Sequence, residues 1–185
     1  MTSQTPKAAP ARTPDRATWR PSTLSLRGDI AVAVFEAGRI DPDAPTIVCV
    51  HGMGHWTQAA WDFVAAEFEL THRIVGFDLP GFGASSKPAI AYTLDFFAGI
   101  LAETIAAYAP GARVTLVGHS LGGLITLRYL LENGSGKAKA ICISSPLLGF
   151  SLEIPAIKDY ASHILHRFLP KLTMHNEIDF NVLSH

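Results

Sequence analysis

The feature that most constrains this chain is a serine held between glycines where a short apolar run gives way to a helical pattern. VTLVG at 114–118 leads into Ser120, and LGGLITLRYLL follows. Gly118, Ser120 and Gly122 make the pattern G-x-S-x-G. In isolation that pattern carries little, because glycine and serine are both common. Between a strand and a helix it is far more demanding: a sharp, strained turn lifts the serine hydroxyl above a sheet, and the flanking glycines let neighbouring backbone pass where a Cβ would clash. The helix opening behind Ser120 adds a favourable field for developing negative charge. A plainer use of the same residues is a glycine-rich turn that only packs a helix close to a sheet.

The rest of the chain supplies the sheet. TLSLR (23–27) and IAVAVFEAG (30–38), separated by Gly28 and Asp29, read as a hairpin. TIVCV (46–50), IVGFD (74–78), VTLVG (114–118) and AICISS (140–145) are apolar on both faces, as parallel strands covered on both sides must be. Helical patterns lie between them. Thr57 is expected to cap a helix carrying Trp61, Val64 and Phe68; Thr93 is expected to cap one carrying Leu94, Phe97, Leu101, Ile105 and Tyr108. The helix after Ser120 is apolar almost all round through Leu131 and stops at Asn133 and Gly134, which places it centrally. Past Pro146 the alternation breaks, and 155–168 reads as an amphipathic helix with Ile157, Tyr160, Ile164 and Phe168 on one side. The expected organisation is therefore a disordered leader over 1–22, an α/β core over 23–146 and a further segment over 147–185.

With 185 residues, 48% of them hydrophobic, the chain can bury the core of one domain. Its 15 basic and 16 acidic side chains leave a net charge of -1, which gives no electrostatic reason to bind nucleic acid and points to a small molecule as partner. No apolar run approaches the roughly 18 residues of a membrane span. No spanning segment is expected, although transient contact with lipid surfaces is compatible with the composition. Cys49 and Cys142 sit inside apolar runs as small hydrophobes rather than as a disulfide framework, which favours a reducing, cytoplasmic compartment. Nothing in the pattern asks for a cofactor or a metal.

A second motif, His51-Gly52-Met53-Gly54, follows the TIVCV strand. In acyl transfer the tetrahedral intermediate carries an oxyanion, and two fixed backbone N–H groups about 3 Å away stabilise it by several kcal/mol. The expected donors are Met53 and Leu121. His51, at a strand end, reads as a brace for the loop rather than as a base. His119, inside the turn, must point away from the Ser120 hydroxyl and is expected to be structural.

On HGMG, DLPGFGASS (78–86) and GHSLGG (118–123), the chain resembles the α/β-hydrolase fold. Residues 145–173 are similar, through SLE-P and RFLPKLT, to the cap of the monoacylglycerol lipase and lysophospholipase branch, which also takes in serine aminopeptidases. The resemblance implies a mostly parallel sheet with helices on both faces, truncated after the sixth strand within the cap, and an apolar lid receiving a single acyl chain. The implied substrate is a small-molecule acyl ester, a monoacylglycerol or lysophospholipid. DLPGFGASS is closer to the form found in epoxide hydrolases, but those carry an aspartate where this chain has Ser120, so ester or amide chemistry is the consistent expectation. An amidase or aminopeptidase and a non-catalytic binding protein are the alternatives.

A serine hydroxyl needs a histidine to take its proton and a carboxylate to orient that histidine, and in this fold they follow in the order Ser, acid, His. After Ser120 the chain offers Asp159, Asp179, His163, His166, His175 and His185, with only AICISS as a strand before them. These residues are expected to belong to the cap. No complete triad is then expected within 185 residues, and the chain alone should be nearly inactive, with an uncovered sheet edge that lowers solubility.

Overall fold

The computed structural model describes residues 17–144 other than 27, 28, 42 and 112. Alternation along the strands decides the layers. In β3 (Thr46–Val50) all five residues are buried. Val48 and Val50 join one apolar cluster, while Ile47 and Cys49 join another on the opposite face. A strand with two buried faces needs helices on both, and the chain supplies them. The helix α1 (Thr57–Phe68) packs Trp61, Val64 and Ala65 into the second cluster. Into the first go Phe97, Leu101 and Ile105 of α2 (Leu94–Tyr108) and Ile125 and Tyr129 of α3 (Leu121–Asn133). Each fully buried aliphatic or aromatic side chain there contributes about 1.5–3 kcal/mol.

The sheet has six strands in the order β1-β2-β4-β3-β5-β6. β1 (Arg20–Leu26) and β2 (Ile30–Gly38) form the expected hairpin, with Leu26 opposite Ile30 and Asp29 in the left-handed region at φ 59°. β2 runs antiparallel to β4 (Arg73–Phe77), and β4, β3, β5 (Val114–His119) and β6 (Ala138–Ser144) are parallel. The chain moves from β3 to one neighbour, β4, then crosses back over β3 to the other, β5. Since parallel crossovers are right-handed, this reversal sends α1 to one face and α2 and α3 to the other. It opens a crevice beyond the carboxyl ends of β3 and β5, where ligands of open α/β sheets bind.

Several local expectations shift. Part of the stretch expected as a disordered leader is structured: β1 begins at Arg20, Ala17 is buried, and the Trp19 indole donates to Asp62 of α1 at 3.0 Å. Thr57 does not cap α1; Trp56 holds the cap position and makes no side-chain cap bond. Thr93 does cap α2, accepting from the Phe96 N–H. Phe68 and Leu131 are exposed although the helical pattern placed them on apolar faces. Cys142, expected in the core, is also exposed, because β6 is the sheet edge among the described residues. The expected helix at 155–168 and the rest of the cap segment lie outside the described residues. Among those described, no helix is long and apolar enough to cross a membrane.

Candidate active site

Val50 pairs with Gly118, so the loops leaving β3 and β5 start side by side in the crevice. The turn after β5 is fixed by shape. Ser120 adopts φ 54° and ψ -119°, a left-handed conformation that costs a non-glycine residue about 1–3 kcal/mol. Its surroundings over-determine it. A Cβ at Gly122 would lie 2.1 Å from the Val50 carbonyl oxygen, and one at Gly118 would lie 2.6 Å from the Gly122 oxygen. Only glycine at both places lets α3 start this close to β3 and β5. The Ser120 N–H donates to the Ser144 carbonyl at 3.0 Å, and the Ser120 carbonyl accepts from the Gly123 and Leu124 N–H groups.

The loop after β3 is fixed by hydrogen bonds. His51 is fully buried; its Nδ1 lies 2.7 Å from the Gly52 carbonyl, and its Nε2 accepts the Leu79 N–H at 2.9 Å. Those two bonds require the tautomer with the proton on Nδ1. Burial holds the imidazole below its ordinary pKa, against the opposing pull of the Gly52 carbonyl and Asp78. A neutral ring with both nitrogens engaged has no free site for the serine proton. Gly52 backs directly onto the other turn: a Cβ there would sit 3.1 Å from Ser120 Cβ, 3.2 Å from the His119 carbonyl and 3.4 Å from the His119 ring. Gly54 has φ 76° and open space around it, so its glycine is needed for conformation rather than for clearance. His119 is half-buried on the face of the sheet that α1 covers.

Among the described residues the N–H groups of Met53 and Leu121 take no hydrogen-bond partner, which leaves two donors on adjacent loops. Ser120 is half-buried, and among the described residues its hydroxyl meets no histidine. Asp159, Asp179, His163, His166, His175 and His185 lie outside the described residues. Among those described, no three His, Cys, Asp or Glu side chains gather as a metal site requires.

The sequence reading missed Asp78, whose side chain is 1% exposed. One carboxyl oxygen accepts the Thr57 N–H at 2.8 Å, the other the Ala84 N–H at 2.8 Å. A Cβ at Gly83 would fall 1.9 Å from that second oxygen. Ser85 completes the loop: its hydroxyl donates to the Asp78 carbonyl and accepts from the Ala33 N–H. DLPGFGASS is thus a loop wound around one aspartate. An acidic residue at a strand end, opening a Pro/Gly-rich loop, was the available signal.

A family model described as alpha/beta hydrolase fold matches residues 45–172, which takes in both loops and every strand after β2. The chain belongs to the α/β-hydrolase fold family. Within it, a probable esterase, PIR7A, from Oryza sativa subsp. indica is 41% identical over 94 residues, covering 50% of this chain and 35% of that protein. A probable oxidoreductase, EphD, from Mycobacterium bovis is 35% identical over 108 residues, 57% of this chain and 18% of its own length. The matched stretch thus spans only a minor part of these curated relatives. Among solved structures, a bacterial membrane phospholipase A superposes with a TM-score of 0.66 at 24% identity, over 78% of this chain and 46% of that one. An esterase from Exiguobacterium antarcticum gives 0.64 at 23% identity, over 70% and 46%. Identities this low speak to the α/β-hydrolase fold alone.

Proposed function

We propose that this α/β-hydrolase chain carries the nucleophile and the oxyanion hole of a serine hydrolase that cleaves carboxylic esters through an acyl-enzyme. One observation carries this: Ser120 is held at positive φ between β5 and α3, while the loop bearing Met53 is packed against it through Gly52. Ser120 is the nucleophile of an elbow of the G-x-S-x-G type. The Met53 and Leu121 N–H groups face the oxyanion; the Ser120 N–H, already bound to Ser144, is not a donor. Esterase names among the relatives support an ester over other acyl substrates. Monoacylglycerol or lysophospholipid is the substrate class, resting on the likeness of residues 145–173 to that branch. Its site would be reached from water or from a lipid surface without cofactor or metal. The histidine and acid that complete the triad are supplied from outside the described residues, and the two free cysteines favour a cytoplasmic setting.

The test is Ser120→Ala in the full-length protein, assayed on monoacylglycerols and on matched amides. Ester turnover should fall by about 10⁴-fold or more, and fluorophosphonate labelling should vanish. Undiminished hydrolysis by Ser120→Ala overturns the mechanism. Faster turnover of the amides than of the esters overturns the substrate class and leaves the elbow standing.

A further inference from the structure

The loop 51–57 that bears Met53 has little to hold it from within. Among the described residues its one internal backbone bond is a long one, from the His55 N–H to the Gly52 carbonyl at 3.4 Å. Both of its ends, however, are tied to the same place. At the start, His51 accepts the Leu79 N–H; at the finish, the Thr57 N–H donates to Asp78. The two anchors are neighbours in sequence, at the point where β4 ends. They are themselves immobilised: Asp78 N–H donates to the Ala33 carbonyl at 2.9 Å, its second oxygen is held by Ala84, and Phe82 stands edge-on to the His51 ring at 5.8 Å.

We propose that His51 and Asp78 are positioning residues, clamping both ends of the 51–57 loop onto the dipeptide Asp78-Leu79 and so fixing where the Met53 N–H sits relative to Ser120. The proposal rests on Met53 being an oxyanion donor. Neither residue touches substrate. Each acts through the backbone it holds, and a displacement of about 1 Å at such a donor is enough to cost roughly 100-fold in rate. His51 uses both ring nitrogens as a donor–acceptor pair, one to the Gly52 carbonyl and one from the Leu79 N–H, and a side-chain amide offers the same pair at similar spacing. It should therefore be replaceable by glutamine, as a proton-transferring histidine is not.

The experiment compares His51→Leu, His51→Gln and Asp78→Ala with the parent in the full-length protein, by ester kinetics and by amide hydrogen exchange. His51→Leu and Asp78→Ala should each lower kcat by about 100-fold with KM within about threefold, as loss of one oxyanion donor does. His51→Gln should recover kcat to within about tenfold of the parent. Exchange should accelerate at Leu79 in His51→Leu and at Thr57 in Asp78→Ala. A His51→Gln protein below one-hundredth of the parental kcat overturns the proposal, whether or not His51→Leu folds, and so does unchanged kcat in His51→Leu. If Ser120→Ala leaves hydrolysis intact, the catalytic reading has failed on its own. The clamp is then judged by exchange: Leu79 and Thr57 amides equally protected in all variants overturn it.

Discussion

The two loops that meet at the crevice are held in place by different physics. The turn after β5 is held by exclusion: Gly118 and Gly122 bring backbone to backbone at distances that leave no room for a methyl group. The loop after β3 is held by polar bonds from His51 and Asp78, with Gly54 in open space. Steric fixation tolerates no added atom but is indifferent to pH. Polar fixation accepts any group with the same donors and acceptors, and it weakens when one of them is protonated.

The sharpest way to break this contrast is Gly122→Ala. Its new methyl would press on the Val50 and His51 carbonyls, and since backbone cannot yield as a side chain can, stability should drop by more than about 3 kcal/mol in urea unfolding. A loss under about 1 kcal/mol would show that the turn can relax. Next comes Asp78→Ala, which leaves the Thr57 and Ala84 N–H groups without their acceptor and should cost about 2–3 kcal/mol by the same measurement.

Acid should loosen the polar loop through His51. Burial lowers the His51 pKa below its ordinary 6.5, so the unfolded chain binds that proton more readily than the folded one. The stability that His51 contributes is fully present above about pH 6.5 and declines as pH falls from there toward its folded value. Asp78, which favours the charged ring, and His55, which disfavours it, act on the same group. Thermal melts of His51→Gln should lose part of the pH slope seen in the parent below 6.5, and an identical slope would assign the acid sensitivity elsewhere. The smallest loss of stability is expected at Gly54→Ala, where only φ 76° opposes the substitution: about 1–2 kcal/mol in urea unfolding.

Much of this arrangement is legible before any coordinates. The runs that became β3, β4 and β5 are apolar on both faces and bounded by turn residues, so burial on both sides leaves a clear trace, whereas AICISS, apolar in the same way, became the largely exposed edge strand β6. Ser120, the two close glycines and the 51–54 loop follow from motif spacing because their geometry is local. What sequence hides is polar and long-range. Asp78 reaches Thr57 across 21 residues and His51 reaches Leu79 across 28, and no periodicity marks such bonds. The same blindness explains the misplaced cap of α1. Thr57 looks like an N-cap, but its methyl fills the space over Gly76 and its N–H is served by Asp78 from another strand. It also explains Trp19, whose partner Asp62 lies 43 residues away, and Cys142, whose exposure depends on which strand forms the edge.

The bond from the Ser120 N–H to the Ser144 carbonyl has a reach beyond geometry. It ties the Ser120 turn to the last residue of β6 through main-chain atoms only, so no side chain at position 144 is needed to keep it. Whatever the chain does next begins a single bond from the serine. That makes a seam: a change of sequence past Ser144 that leaves the main chain in place there keeps the turn that holds the proposed nucleophile intact.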